Sequence, residues 1–179
     1  MVERRIVVDH MKLTYEGLFD VHELYMLIDT WLYEKGYDKR EMVNQEHIKP
    51  DGKFIELELQ PWKKITDYAR HVIKMRIRMF HIQDVVMEQD GRNVKLQRGT
   101  VTIVFDGYLD TDYENRWEQK PFYFFLRTMF DKFFYRTYSK EFEDLLAESV
   151  GQLNGNIKAF LNLYRHQFGV MRRPELMKL

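Results

Sequence analysis

Cysteine is absent from the 179 residues, and with it disulfide scaffolds, thiolate zinc sites, iron–sulfur clusters and every thiol nucleophile. An excess of one charge is missing too. With 28 Lys+Arg against 28 Asp+Glu, no global field draws the chain to nucleic acid or an anionic membrane, so any such binding has to be local. Apolar runs are short: the longest, such as 24–28 and 122–126, reach five residues, where a bilayer span needs about 20. Residues 1–10 carry a charge pair and then three apolar residues, below the roughly 7–15 of a secretory signal. A cytoplasmic protein without a transmembrane segment is the expectation. Prolines number four and glycines nine, with no internal repeat and no low-complexity linker.

What is present is globular. Hydrophobic residues make up 45% and charged residues 31% of a 22.0 kDa chain, which suits one domain, expected over 1–169, with a short basic tail at 170–179. The excess lies in 13 Phe, 11 Tyr, 3 Trp and 10 Met, large side chains that call for a core, a ligand cavity or an interface.

Patterning places the elements. Residues 4–15 read as a strand. Val21, Leu24, Tyr25, Ile28, Trp31 and Leu32 follow a 3.6-residue period over a helix expected at 18–35, with Asp20 and Glu23 at its start and Gly36 at its stop. Residues 42–48 and 54–60 form a hairpin around Pro50-Asp51-Gly52, with Ile55, Leu57 and Leu59 on one face. Over 68–87 a period of two separates apolar odd positions from Arg70, Lys74, Arg76 and Arg78, so a strand is preferred to a helix. Residues 93–109 return as its partner after Asp90-Gly91. These arms are too long to run flat, and Gly99 and Gly107 are the expected breaks. An aromatic helix is expected over 122–138, where nine of 17 residues are aromatic, and a last helix over 140–168, with Phe142, Leu145, Leu146, Leu153, Ile157, Leu161 and Tyr164 inward. Asn154-Gly155-Asn156 is a candidate break within it.

This order predicts an α+β fold: a curved, mainly antiparallel sheet packed by the N-terminal-half helix, the aromatic-rich helix and the long C-terminal helix. At the level of fold alone it resembles a helix-grip arrangement, in which a long C-terminal helix lies in the grip of such a sheet. That arrangement hosts ligand carriers, enzymes and adaptors alike, so the resemblance assigns no residue a role.

Chemistry is sparse. His10, His22, His47, His71, His81 and His166 form no helical metal-ligand spacing, and a nucleophile elbow, a phosphate-cradling loop and a dinucleotide fingerprint are all missing. Neither a cofactor, a metal nor a catalytic residue is implied. Asp106, Asp110, Asp112 and Glu114 read as a solvated acidic loop. Strand parity places His71, Ile73, Met75, Ile77 and Met79 on one face with Val101, Ile103 and Phe105 from the partner arm, the candidate lining of a cavity beneath the last helix. The residues between 63 and 98 hold nine Lys/Arg against four Asp/Glu. Within them Arg70, Lys74, Arg76 and Arg78 form a row able to meet phosphates, or else a strand defended by charge. Phe124, Phe130, Phe134 and Tyr138 exceed what one core-facing stripe buries and are candidates for self-association. The leading expectation is a non-catalytic binding protein, homo-oligomeric or enclosing an apolar small molecule. The alternatives are an adaptor binding RNA or another anionic partner, such as a ribosomal surface, and a cofactor-free lyase or hydrolase using His71 or His81.

Overall fold

A computed structural model of the chain describes residues 3–89, 92–111, 113 and 135–168. Six strands and two helices follow in the order β1 (Glu3–Phe19), α1 (Val21–Glu34), β2 (Glu41–Lys49), β3 (Gly52–Leu59), β4 (Trp62–Lys64), β5 (Ala69–Gln89), β6 (Arg92–Thr111) and α2 (Tyr135–Phe168). The strands form one open antiparallel sheet in the order β1-β6-β5-β3-β2, with β4 pairing β5 beside β3. The fold is α+β. Among the described residues no helix is long and apolar enough to cross a membrane.

The local signals act where chemistry places them. Asp20 takes extended backbone angles and its carboxylate accepts the Glu23 N–H at 2.9 Å, starting α1, while Gly36 follows the helix at φ +69. Leu24, Ile28, Trp31 and Leu32 are the buried stripe. The long helix begins at Tyr135 rather than 140, and it continues through 154–156 without a break. Its buried stripe is Leu146, Val150, Leu153, Ile157 and Leu161; Leu145, expected inward, is 45% exposed. At 100° per residue Leu145 falls about 100° behind Leu146, off the face that Val150 and Leu153 share with it. The aromatic stretch 122–134, with Phe124, Phe130 and Phe134, lies outside the described residues, as does the Tyr138 side chain.

The two central strands pair register for register: Met75 opposite Phe105, Ile77 opposite Ile103, Met79 opposite Val101. On the other side of β5, Leu59, Leu57 and Ile55 lie opposite Met75, Ile77 and Met79. A single apolar layer runs across three strands under the helices and forms the core with them.

Register breaks fall where glycines were expected to relieve the arms, but the extra residues sit on the partner strands. Opposite Gly99, β5 slips between Phe80 and Gln83; a Cβ on Gly99 would stand 2.8 Å from the Phe80 carbonyl oxygen, so only glycine lets the bulged strand close in. Opposite Gly107, β1 slips at Val8, and the Val8 and Leu146 side chains fill the space a Cβ would take. His10 and His81 sit in these irregular stretches, and they are the two described non-glycine residues with positive φ, at 50° and 54°.

Candidate binding cleft

Helix length decides where the apolar layer is left open. At about 1.5 Å per residue α1 spans roughly 21 Å, whereas β5 at about 3.3 Å per residue runs to roughly 70 Å, so α1 cannot roof the whole length of β5. An open cleft of about 480 Å³ lies beside α1. Leu24 and Ile28 of α1 form one side of it, and Ile55, Leu57, Ile77 and Met79 form the sheet side. Leu24, Ile28, Leu57, Ile77 and Met79 belong at the same time to the buried core, so the floor is held rigidly by packing.

The rim is polar and already networked. Lys53 lies 3.4 Å from Glu46 and 3.7 Å from Asp84. Gln97 donates to Asp84 at 3.1 Å and accepts the Val21 N–H at 3.1 Å, tying the first turn of α1 to β6. Lys95 also reaches the rim, and it makes no ion pair among the described residues. The arrangement offers an apolar floor and a few fixed polar groups, the composition of a small-molecule pocket.

Of the eight residues expected to line a cavity, Ile77 and Met79 do so. Ile73, Met75, Val101, Ile103 and Phe105 are fully buried in the core. The cleft therefore opens beside α1, not beneath the long helix, because α2 packs down on the β1–β6 side of the sheet. His71 is 2% exposed, and its Nε2 has no hydrogen-bond partner. Burial, reinforced by the Lys63 ammonium and opposed by a hydrogen bond to the Phe142 backbone, pushes its imidazole down to about 4. A neutral, sealed ring is not placed to exchange protons with a ligand.

Odd-position parity continued through β5 would put His81 on the same face as His71. The Phe80–Gln83 slip breaks that parity, and His81 is exposed, 3.1 Å from Asp51. It borders a second cleft of about 510 Å³, lined with Glu16, Gln83, Arg98 and Thr100. That cleft is polar and wet, and both members of the histidine–aspartate pair are more than 60% exposed. An acid–base group there lacks the water exclusion that strengthens catalysis.

The cationic row is matched one for one. Arg70 reaches Asp110 at 3.0 Å, Lys74 reaches Glu58 at 2.9 Å, Arg76 reaches Asp106 at 2.5 Å and Arg78 reaches Glu56 at 2.8 Å. Asp106 and Asp110 correct the acidic-loop expectation: both lie in β6 and are buried. Burial alone would raise the Asp110 carboxyl, but hydrogen bonds from Arg4 and Arg70 outweigh it and hold it below the usual carboxylate range. Asp112 and Glu114 lie outside the described residues. The ligand atoms of three potential metal ligands, the adjacent Asp9 and His10 of β1 and the distant Asp106 of β6, lie within 4.8 Å of one another.

No protein-family model matches the chain, and no curated protein or solved structure matches it.

Proposed function

We propose that the protein is a non-catalytic binding protein that takes an apolar small molecule into the cleft beside α1. The observation that carries this reading is a space of about 480 Å³ floored by residues of the core itself. It falls within the usual range of ligand pockets, about 300–1,000 Å³. At about 30 Å³ per water it equals roughly 16 waters, room for a ligand of similar heavy-atom number. The apolar lining that meets solvent is half-buried Val21, Tyr25 and Ile55, backed by the core residues; release of water from that part is the driving force, and the ion-paired rim orients whatever polar end the ligand carries. A helix-grip-like layout, in which helices close one face of a curved sheet, accords with such a role. The matched acids beside Arg70, Lys74, Arg76 and Arg78 support reading that row as a stabilised strand face rather than a phosphate track.

The test is a fluorescence titration with 8-anilinonaphthalene-1-sulfonate, an apolar probe with one anionic end. Wild-type protein should bind it saturably at one site, and Ile55→Trp, which places a ring in the cleft from its half-buried sheet wall, should weaken binding tenfold or more. Val21→Phe fills the same space from α1 and serves if the first variant unfolds. Binding that is absent, or indifferent to both substitutions, overturns the proposal.

A further inference from the structure

The bulge in β1 assembles a second site from two adjacent residues of that strand and a third that lies 96 residues further on. Val8 pairs with Gly107 and Met11 with Phe105, so Asp9 and His10 together stand opposite the single residue Asp106. A regular strand would send two consecutive side chains to opposite faces. Here His10 adopts φ +50, a left-handed conformation costly for any residue but glycine, and both side chains come over the Asp106 carboxylate. The His10 N–H donates to Asp106 Oδ1 at 2.9 Å, and His10 Nδ1 lies 3.3 Å from the same oxygen and 2.5 Å from Asp9 Oδ1.

We propose that Asp9, His10 and Asp106 form a binding site for one divalent transition-metal ion of the zinc type. With metal–ligand bonds of about 2.0–2.1 Å, two ligand atoms on a tetrahedral ion stand roughly 3.3 Å apart, which is the separation of His10 Nδ1 from Asp106 Oδ1. The three groups differ in exposure in a useful way. Asp106 is buried and pinned through its other oxygen by Arg76 at 2.5 Å, so Oδ1 is held facing His10. Asp9 and His10 have side chains 71% and 68% exposed, free to open their mutual contact around an ion and to leave its remaining position to water. One imidazole with two carboxylates suits zinc better than the all-oxygen sets preferred by calcium or magnesium. The Arg76 charge offsets one carboxylate, so binding relies on geometry as much as on field. An ion here would bridge edge strand β1 to β6 where the ladder is broken.

The experiment is a calorimetric titration of chelator-stripped protein with Zn²⁺, repeated on His10→Gly and Asp9→Asn. His10→Gly removes a ligand and relieves the positive φ, so that variant folds at least as well as the parent. Even outer-shell partners of metal ligands are worth about 10–100-fold in affinity; loss of a ligand should therefore weaken the site by roughly tenfold or more. Expected are one saturable equivalent on the wild type, its loss in His10→Gly, its weakening in Asp9→Asn, and a Zn²⁺-dependent rise in the melting temperature that is largest in the wild type, smaller in Asp9→Asn and absent in His10→Gly. Absence of saturable binding up to millimolar Zn²⁺, or an equivalent that persists unchanged in His10→Gly, would falsify the assignment.

Discussion

On one face of β5, Ile73 and Met75 are fully buried in the core and Ile77 and Met79 back the cleft beside α1; on the other, Arg70, Lys74, Arg76 and Arg78 reach carboxylates on the neighbouring strands. The same strand thus holds the sheet together by two kinds of force. The apolar side gains from area removed from water, is indifferent to direction, and can remain open at one end without loss of coherence. The charged side gains from specific pairs whose worth depends on how far each is desolvated. The cleft beside α1 opens on the first face, while the second face is covered by its own long side chains.

The contrast can be broken by substitution. Phe105 is fully buried at the centre of the apolar face, so Phe105→Ala should cost about 3–5 kcal/mol in urea-induced unfolding. Next in size is a pH effect from His71. Its folded value of about 4 lies below the ordinary 6.5, so the unfolded chain binds the extra proton between those limits. The stability that follows is fully present above pH 6.5 and is lost as pH falls toward 4, by roughly 3 kcal/mol at 1.36 kcal/mol per unit. Asp110, also depressed, loses its contribution only below the normal carboxylate range, so His71→Leu should flatten the melting curve between pH 4 and 6.5 and leave the more acidic limb intact. Asp110→Ala comes third, at about 2 kcal/mol, because Arg4 and Arg70 lose a buried partner but recover water through their partly exposed guanidinium groups. A cost above that of Phe105→Ala would invert the ranking of the two faces.

Smaller effects sharpen the same comparison. Gly151 lies in α2 with open space where its Cβ would stand, so Gly151→Ala should raise stability by up to about 1 kcal/mol through helix propensity alone. Destabilisation would mean that this outward face packs closely on something. Arg78, paired with Glu56 and half exposed, should yield the least: Arg78→Ala changes stability by about 0.2–1 kcal/mol, and less at high salt.

Much of this fold was legible in the residues because it rests on local periodicity. Odd-position parity from His71 to Met79 identified the buried side of β5, and Asp20 and Gly36 bracketed α1, since alternation and capping need no knowledge of distant partners. The misreadings concern pairing. His81 left the expected face because a two-against-one register is a property of two strands, invisible in either alone. Asp106 and Asp110 resembled a wet acidic loop until Arg4, Arg70 and Arg76 arrived from β1 and β5 to neutralise them. The Asp9–His10–Asp106 cluster was hidden for the same reason, although the polar pair Asp9-His10 directly after the β-branched run Ile6-Val7-Val8 was a faint signal of a bulge. The cleft depends on how α1 sits beside β3 and β5, a tertiary placement that no motif in the sequence carries.

The most direct measurement is a two-dimensional ¹H–¹⁵N correlation spectrum of the protein with and without saturating 8-anilinonaphthalene-1-sulfonate. Binding in the cleft beside α1 should move the amide signals of Leu24, Ile28, Ile55, Ile77 and Met79 while leaving those of Val150 and Leu153 in α2 in place. Shifts centred on α2, shifts scattered over the charged face, or a spectrum unchanged by the probe would show that this cleft is not the binding site.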